Sequence, residues 1–147
     1  MAASVTINLA GFKTAEPMIR RLVADALFET ASKVDADAKR LVPVDTGRLK
    51  TSIHVEQGPG RGPLDEPLPT ELDALVGTNV EYAAAIEYGF TGPVTVRQHT
   101  RRTKYGTVTV RAHSRVLRVR KRPYLRPAYH KNRKELKRRI EAKLRAL

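Results

Sequence analysis

Cysteine and tryptophan are both missing from this chain of 147 residues, and its aromatics are limited to five Tyr and three Phe. Without cysteine there is no disulfide and no thiolate nucleophile or metal ligand, which suits assembly in a reducing compartment. So few aromatics leave a core to be built from Val, Leu, Ile and Ala, and they argue against a surface of stacked rings for single-stranded nucleic acid. No run of about 18 apolar residues is present to cross a membrane as a helix. Met1–Phe12 lacks the basic start and apolar stretch of a secretory leader. The expectation is a single soluble domain over residues 1–147 with no membrane partner.

The sharpest scarcity is local. From Thr91 to Leu147 the only acidic residues are Glu135 and Glu141, against 19 Lys/Arg, a balance of +17. Residues 1–90 carry 9 Lys/Arg and 13 Asp/Glu, a balance of −4. Such asymmetry speaks of partners more than of fold. Either the basic half faces something anionic, or neighbouring copies mate acidic surface with basic surface.

Periodicity gives the elements. Val5, Ile7 and Leu9 alternate weakly over Ser4–Leu9, a short strand. From Thr14 to Leu41 apolar residues such as Met18, Leu22, Leu27, Val34 and Leu41 recur at steps of three and four, predicting a long amphipathic helix stopped by Pro43. Val44–Gly47 reads as a turn, and Arg48–Gln57 as a helical turn or the lead into a strand. The Gly/Pro-rich stretch from Gly58 to Thr70 argues against regular structure. Glu71–Gly77 is a candidate strand, Asn79–Glu87 a short helix or strand, and Gly89 a break. Alternation over Val94–Val119 around Lys104-Tyr105-Gly106 predicts a long basic β-hairpin, about 91–121 with its flanks. The apolar phase shifts after Ala112, which predicts a bulge near His113–Val116. Pro123 then opens a second amphipathic helix, striped by Leu125, Tyr129, Leu136, Ile140 and Leu144 and interrupted at Asn132.

The residues of chemistry do not converge. His54, His99, His113 and His130 lack metal-ligand spacing, and the glycines at 58, 60 and 62 lack the Gly-Lys-Ser/Thr ending of a phosphate loop. Asp45-Thr46-Gly47 occurs once, after a helix-ending proline. It reads as a cap, with an Asp45 or Thr46 oxygen accepting orphan N–H groups and Gly47 supplying an unusual backbone angle. No catalytic, cofactor or metal residues are assigned. The positive signal is electrostatic: Arg97, Arg101, Arg102, Lys104, Arg111 and Arg115 stud the hairpin. They suit phosphate contact without base readout, or pairing with acidic residues of a neighbour.

Three ordered segments carry a resemblance. They are Val42-Pro43-Val44-Asp45-Thr46-Gly47-Arg48-Leu49-Lys50-Thr51-Ser52-Ile53, then Val76-Gly77-Thr78-Asn79 with Tyr82-Ala83-Ala84-Ala85-Ile86-Glu87-Tyr88-Gly89, then Arg122-Pro123-Tyr124-Leu125-Arg126-Pro127-Ala128. Between two long helices, the trio resembles the neck or tail-completion (head–tail joining) proteins of long-tailed bacteriophages and prophages. The chain departs from that pattern at Phe90 and in the length of the basic connection.

The resemblance implies an α+β subunit, two long amphipathic helices on a small antiparallel sheet, with Tyr82, Ala83 and Ile86 in mid-core. Asp45, Thr46, Gly47, Glu87, Gly89, Pro123 and Pro127 would be structural motif residues, the prolines fixing where the last helix starts. It further implies a non-enzymatic virion protein, assembled in the host cytoplasm. Its copies would form a homo-oligomeric ring, a hexamer matching tail symmetry, between neighbouring neck and tail proteins and around the packaged DNA. Asp65, Glu66, Glu71 and Asp73 would mate with the basic half of the next copy. Sibling and rival roles are a tail terminator capping the tail tube and a free-standing basic nucleic-acid-binding protein.

Overall fold

The computed structural model describes residues 2–6, 17–62 and 65–146, the first stretch by its backbone alone. The long helix α1 spans Pro17–Leu41 and buries Val23, Ala26, Leu27, Thr30, Val34 and Ala38, the three-and-four spacing that turns one stripe inward. Leu27 is 1% exposed, a burial worth about 1.5–3 kcal/mol. Met18 and Leu41, placed on the stripe by spacing, are exposed because they fall at the two ends of the helix. The Val42 N–H still bonds to the Ala38 carbonyl at 2.9 Å, and Pro43 has no N–H with which to continue. Thr14–Glu16, expected in the first turn, lie outside the described residues.

Three strands form an antiparallel sheet: β1 (Ala2–Thr6), β2 (His54–Gln57) and β5 (Asp73–Gly77), in the order β1-β5-β2. All five β5 residues are buried, as befits its central place. The register pairs Ala2 and His54 with Gly77, and Thr6 with Asp73. The expected strand at Ser4–Leu9 thus begins earlier, and its last three residues lie outside the described set. Between β2 and β5 the Gly/Pro-rich stretch is not wholly irregular. β3 (Gly60–Arg61) pairs with β4 (Pro67–Leu68), a two-residue ladder in which Pro67, at the strand start, need not donate.

Helices α2 (Arg48–Ser52) and α3 (Ala83–Tyr88) are short, and α4 (Leu125–Arg145) is long. α4 runs antiparallel along α1. Near its start Lys131 reaches Asp37 at 3.0 Å; near its end Arg139 and Lys143 reach Glu29 at 3.3 and 2.9 Å. The acids of α1 therefore neutralise part of the basic C-terminal half within one chain. Tyr124, Leu125 and Ala128 join Leu27, Ile53, Val76 and Ala83 in the main core. Tyr82 does not supply the core as expected: it is exposed, while Ala83 is buried and Ile86 packs at the margin.

The remaining strands, β6 (Phe90–Val96), β7 (His99–Thr103), β8 (Gly106–Val110) and β9 (His113–Val119), form a single hairpin arm. β6 pairs with β9 and β7 with β8; beyond its base, the arm packs chiefly on itself. The predicted bulge is absent. One register runs from Phe90↔Val119 through Val96↔His113 and His99↔Val110 to Thr103↔Gly106, with two residues on each side between the ladders. The phase shift has another cause. Near the base Val94, Val96, Leu117 and Val119 share one face, and beyond the break Val108 and Val110 lie on the other.

Candidate functional site: the basic arm, its anchor and the groove at its base

Gly89 and Glu87 anchor the arm. Gly89 has φ 82 and ψ 162, a region that only glycine occupies readily. A Cβ there would stand 3.2 Å from the Val119 carbonyl and 3.3 Å from the Lys121 nitrogen, so a side chain would crowd the point where both arm strands leave the body. Opposite, the Arg122 N–H bonds to the Ile86 carbonyl at 2.7 Å.

Glu87 is 1% exposed. Its Oε2 accepts the N–H groups of Tyr124 (2.7 Å) and Leu125 (3.0 Å), and its Oε1 that of Arg126 (2.9 Å). The next residue, Pro127, has no N–H. One carboxylate therefore satisfies the free donors at the start of α4 and sits at the positive end of its dipole. No residue of α4 could do this locally, since Tyr124 at the cap position makes no side-chain bond there. Burial pushes the Tyr124 phenol up to about 12, and the nearby Glu87 charge adds to the effect. Among the described residues the Tyr124 hydroxyl has no hydrogen-bond partner.

The Asp45-Thr46-Gly47 turn meets the start of α2 through Thr46 and not through Asp45. Gly47 occupies the cap position with φ 83, so its backbone geometry is the left-handed one foreseen. The Thr46 hydroxyl is 3.5 Å from the Arg48 nitrogen, at the limit of a bond, and Asp45 caps nothing. These residues also line an open groove of about 610 Å³ at the arm's base. Val44, Leu49, Tyr82, Ile86 and Val119 give it an apolar lining, and Asp45, Arg118, Arg120 and Arg122 are its charged residues.

On the arm itself, Arg97, Arg101, Arg102, Lys104, Arg111 and Arg115 are all exposed. Among the described residues none of the six forms an ion pair, in contrast to Lys131, Arg139 and Lys143 on α4. The register divides them. Arg102 and Arg115 share one face, Arg101 lies on the other, Arg97 and Arg111 fall between the two ladders, and Lys104 sits in the turn. A contact that used all six would have to surround the arm. The acids expected to meet them are not equally available: Asp73 is buried and accepts the Thr70 N–H and hydroxyl, and Glu71 faces Arg20 at 3.3 Å.

Among the described residues no group of three His, Asp or Glu is placed to hold a metal, and no helix is long and apolar enough to cross a membrane. The fold and site define a small α+β domain bearing a cationic hairpin arm. Residues 9–89 match the family described as "Bacteriophage HK97-gp10, putative tail-component", and the chain belongs to that family of phage tail components. The match ends at Gly89, the residue from which the arm departs, so the arm and α4 lie beyond it. No curated protein and no solved structure gave a match. Membership implies a structural, tail-related role among other virion proteins.

Proposed function

We propose that this tail component acts at the head–tail junction, as a neck or tail-completion subunit. Its copies form a closed ring, a hexamer in keeping with tail symmetry, around the DNA exit path, and they need no catalysis, metal or cofactor. The observation that carries this reading is the arm. Its span from Thr91 to Arg122 holds 10 Lys/Arg and no acidic residue, in a chain whose basic helix α4 finds partners on α1. An unneutralised cationic arm repeated around a ring concentrates positive potential where a polyanion passes.

The test is to image particles containing the chain and to measure the mass of the purified protein by light scattering across concentration. Multi-copy rings at the neck with the arm lining the channel are the expected result. A position at the tail tube's end makes it a tail terminator. A strict monomer that binds duplex DNA in a salt-sensitive way overturns the ring in favour of a free-standing nucleic-acid clamp.

A further inference from the structure

The groove at the arm's base has an apolar lining and three arginines against one acid, Asp45, and Arg118, Arg120 and Arg122 find no acidic partner among the described residues. It lies at one end of the sheet. His54, the first residue of β2, pairs with Gly77 at the end of β5, so α2 and the Val44–Gly47 turn sit at that end, as does α3, which follows Gly77. The opposite end of β5 carries an acidic feature. There the Gly58 N–H bonds to the Asp73 carbonyl at 3.0 Å, and the β3–β4 ladder leads out to Asp65 and Glu66.

This acidic tip is held in shape by its own backbone. The Gly62 N–H bonds to the Glu66 carbonyl (2.7 Å), the Asp65 N–H bonds to the Gly62 carbonyl (2.9 Å), and Asp65 stands at φ 60, which Asp tolerates better than most residues. Both acids are exposed. Asp65 meets only Arg61, four residues earlier and itself open to water, and Glu66 forms no ion pair among the described residues. Surface pairs of that kind are worth little and yield readily to a new partner.

We propose that the groove receives the Asp65–Glu66 tip of a second copy of this chain. The occupant is chosen by charge: the neighbour's own basic arm is repelled by the three arginines, whereas the acidic tip complements them. Groove and tip lie at opposite ends of a strand about 14 Å long. One copy therefore cannot fill its own groove, and each copy offers one of each surface. That is the head-to-tail arrangement from which closed rings are made. The inference rests on the ring proposed above and assigns its joint. Of the four acids first considered for that joint, it retains Asp65 and Glu66 and drops Glu71 and Asp73.

The absence of cysteine makes the test free of background. In the full chain, Val44→Cys and Glu66→Cys are introduced singly and together, and mild oxidation is followed by denaturing electrophoresis, with light scattering on the same samples. The double variant is expected to give a ladder of covalent multimers that collapses with reductant, and each single variant nothing beyond a dimer. If light scattering shows a multi-copy assembly and the double variant still stops at a dimer, the groove–tip joint is wrong and the ring stands. If the chain is a monomer at every concentration, the ring fails and the joint with it. Charge reversal gives a second readout. Arg120→Glu or Glu66→Arg alone should raise the concentration for half-assembly about tenfold, and the pair together should restore it. Failure of the pair to restore assembly overturns the joint.

Discussion

The Glu87 carboxylate accepts the backbone N–H of Tyr124 at 2.7 Å, across 37 residues of chain and the whole length of the arm. This bond, with those to Leu125 and Arg126, makes the start of α4 depend on α3. Glu87→Ala leaves three donors, two of them buried, without an acceptor and should cost about 2–4 kcal/mol. Glu87→Gln keeps one acceptor oxygen and should cost less. Thermal unfolding checks both, with an expected drop for the alanine variant of roughly 5–15 °C. Equal melting of all three proteins would show that the cap contributes nothing.

Gly89→Ala forces a Cβ against the Val119 carbonyl in a backbone region closed to alanine. The expected cost is about 1–3 kcal/mol. The damage should spread along the arm, because both strands emerge at this point. Amide exchange should rise first in β6 and β9. A variant whose arm exchanges as slowly as the parent's would show that the exit is not tightly held.

Asp37 should hold its charge further into acid than an ordinary aspartate. A hydrogen bond from Asn132, and then the bond and charge of Lys131, hold its carboxyl below the ordinary aspartate range, and burial only partly opposes them. A depressed folded pKa gives stability that is present above the unfolded value of 3.8 and is lost as pH falls through the folded one. Asp37→Asn should therefore lower stability at pH 7 and flatten its decline below about pH 4. Denaturant midpoints measured from pH 7 to pH 2 decide it. Parallel curves for parent and variant would remove Asp37 from the acid transition.

The two faces of the arm can be told apart by salt. If duplex DNA lies against the face of Arg102 and Arg115, changing both to Gln should reduce the slope of log affinity against log salt by about 1.8. Changing Arg101 should then leave the slope nearly as it was. Comparable losses from both sets would mean that the polyanion surrounds the arm. Loss from neither would remove DNA as the arm's partner.

Much of the frame was legible in the residues. The spacing of Val23, Leu27, Thr30 and Val34 announces α1, and alternation around Lys104-Tyr105-Gly106 announces the arm. The bulge was misread because a change of apolar phase has two causes, an inserted residue or a change of the face that is apolar, and only pairing distinguishes them. Charge counting placed Asp73 on a surface, whereas its side chain satisfies Thr70 inside the chain. The role of Glu87 was hidden by sequence distance, yet a signal existed. Arg122-Pro123-Tyr124-Leu125 opens a long helix without Ser, Thr, Asp or Asn, so the acceptor for its first N–H groups had to come from elsewhere. Glu87 lies one helical turn after the buried Ala83, on the same inward face.

The single register that the arm's two ladders share makes it a ruler. Adding one residue to each strand would lengthen it by about 3.4 Å and exchange its faces, and adding two would lengthen it by about 7 Å and leave every face as it was. Its reach can therefore change in steps while the anchor at Glu87 and Gly89 stays fixed. A subunit built this way can meet a nearer or a more distant partner without redesigning the body that holds the arm.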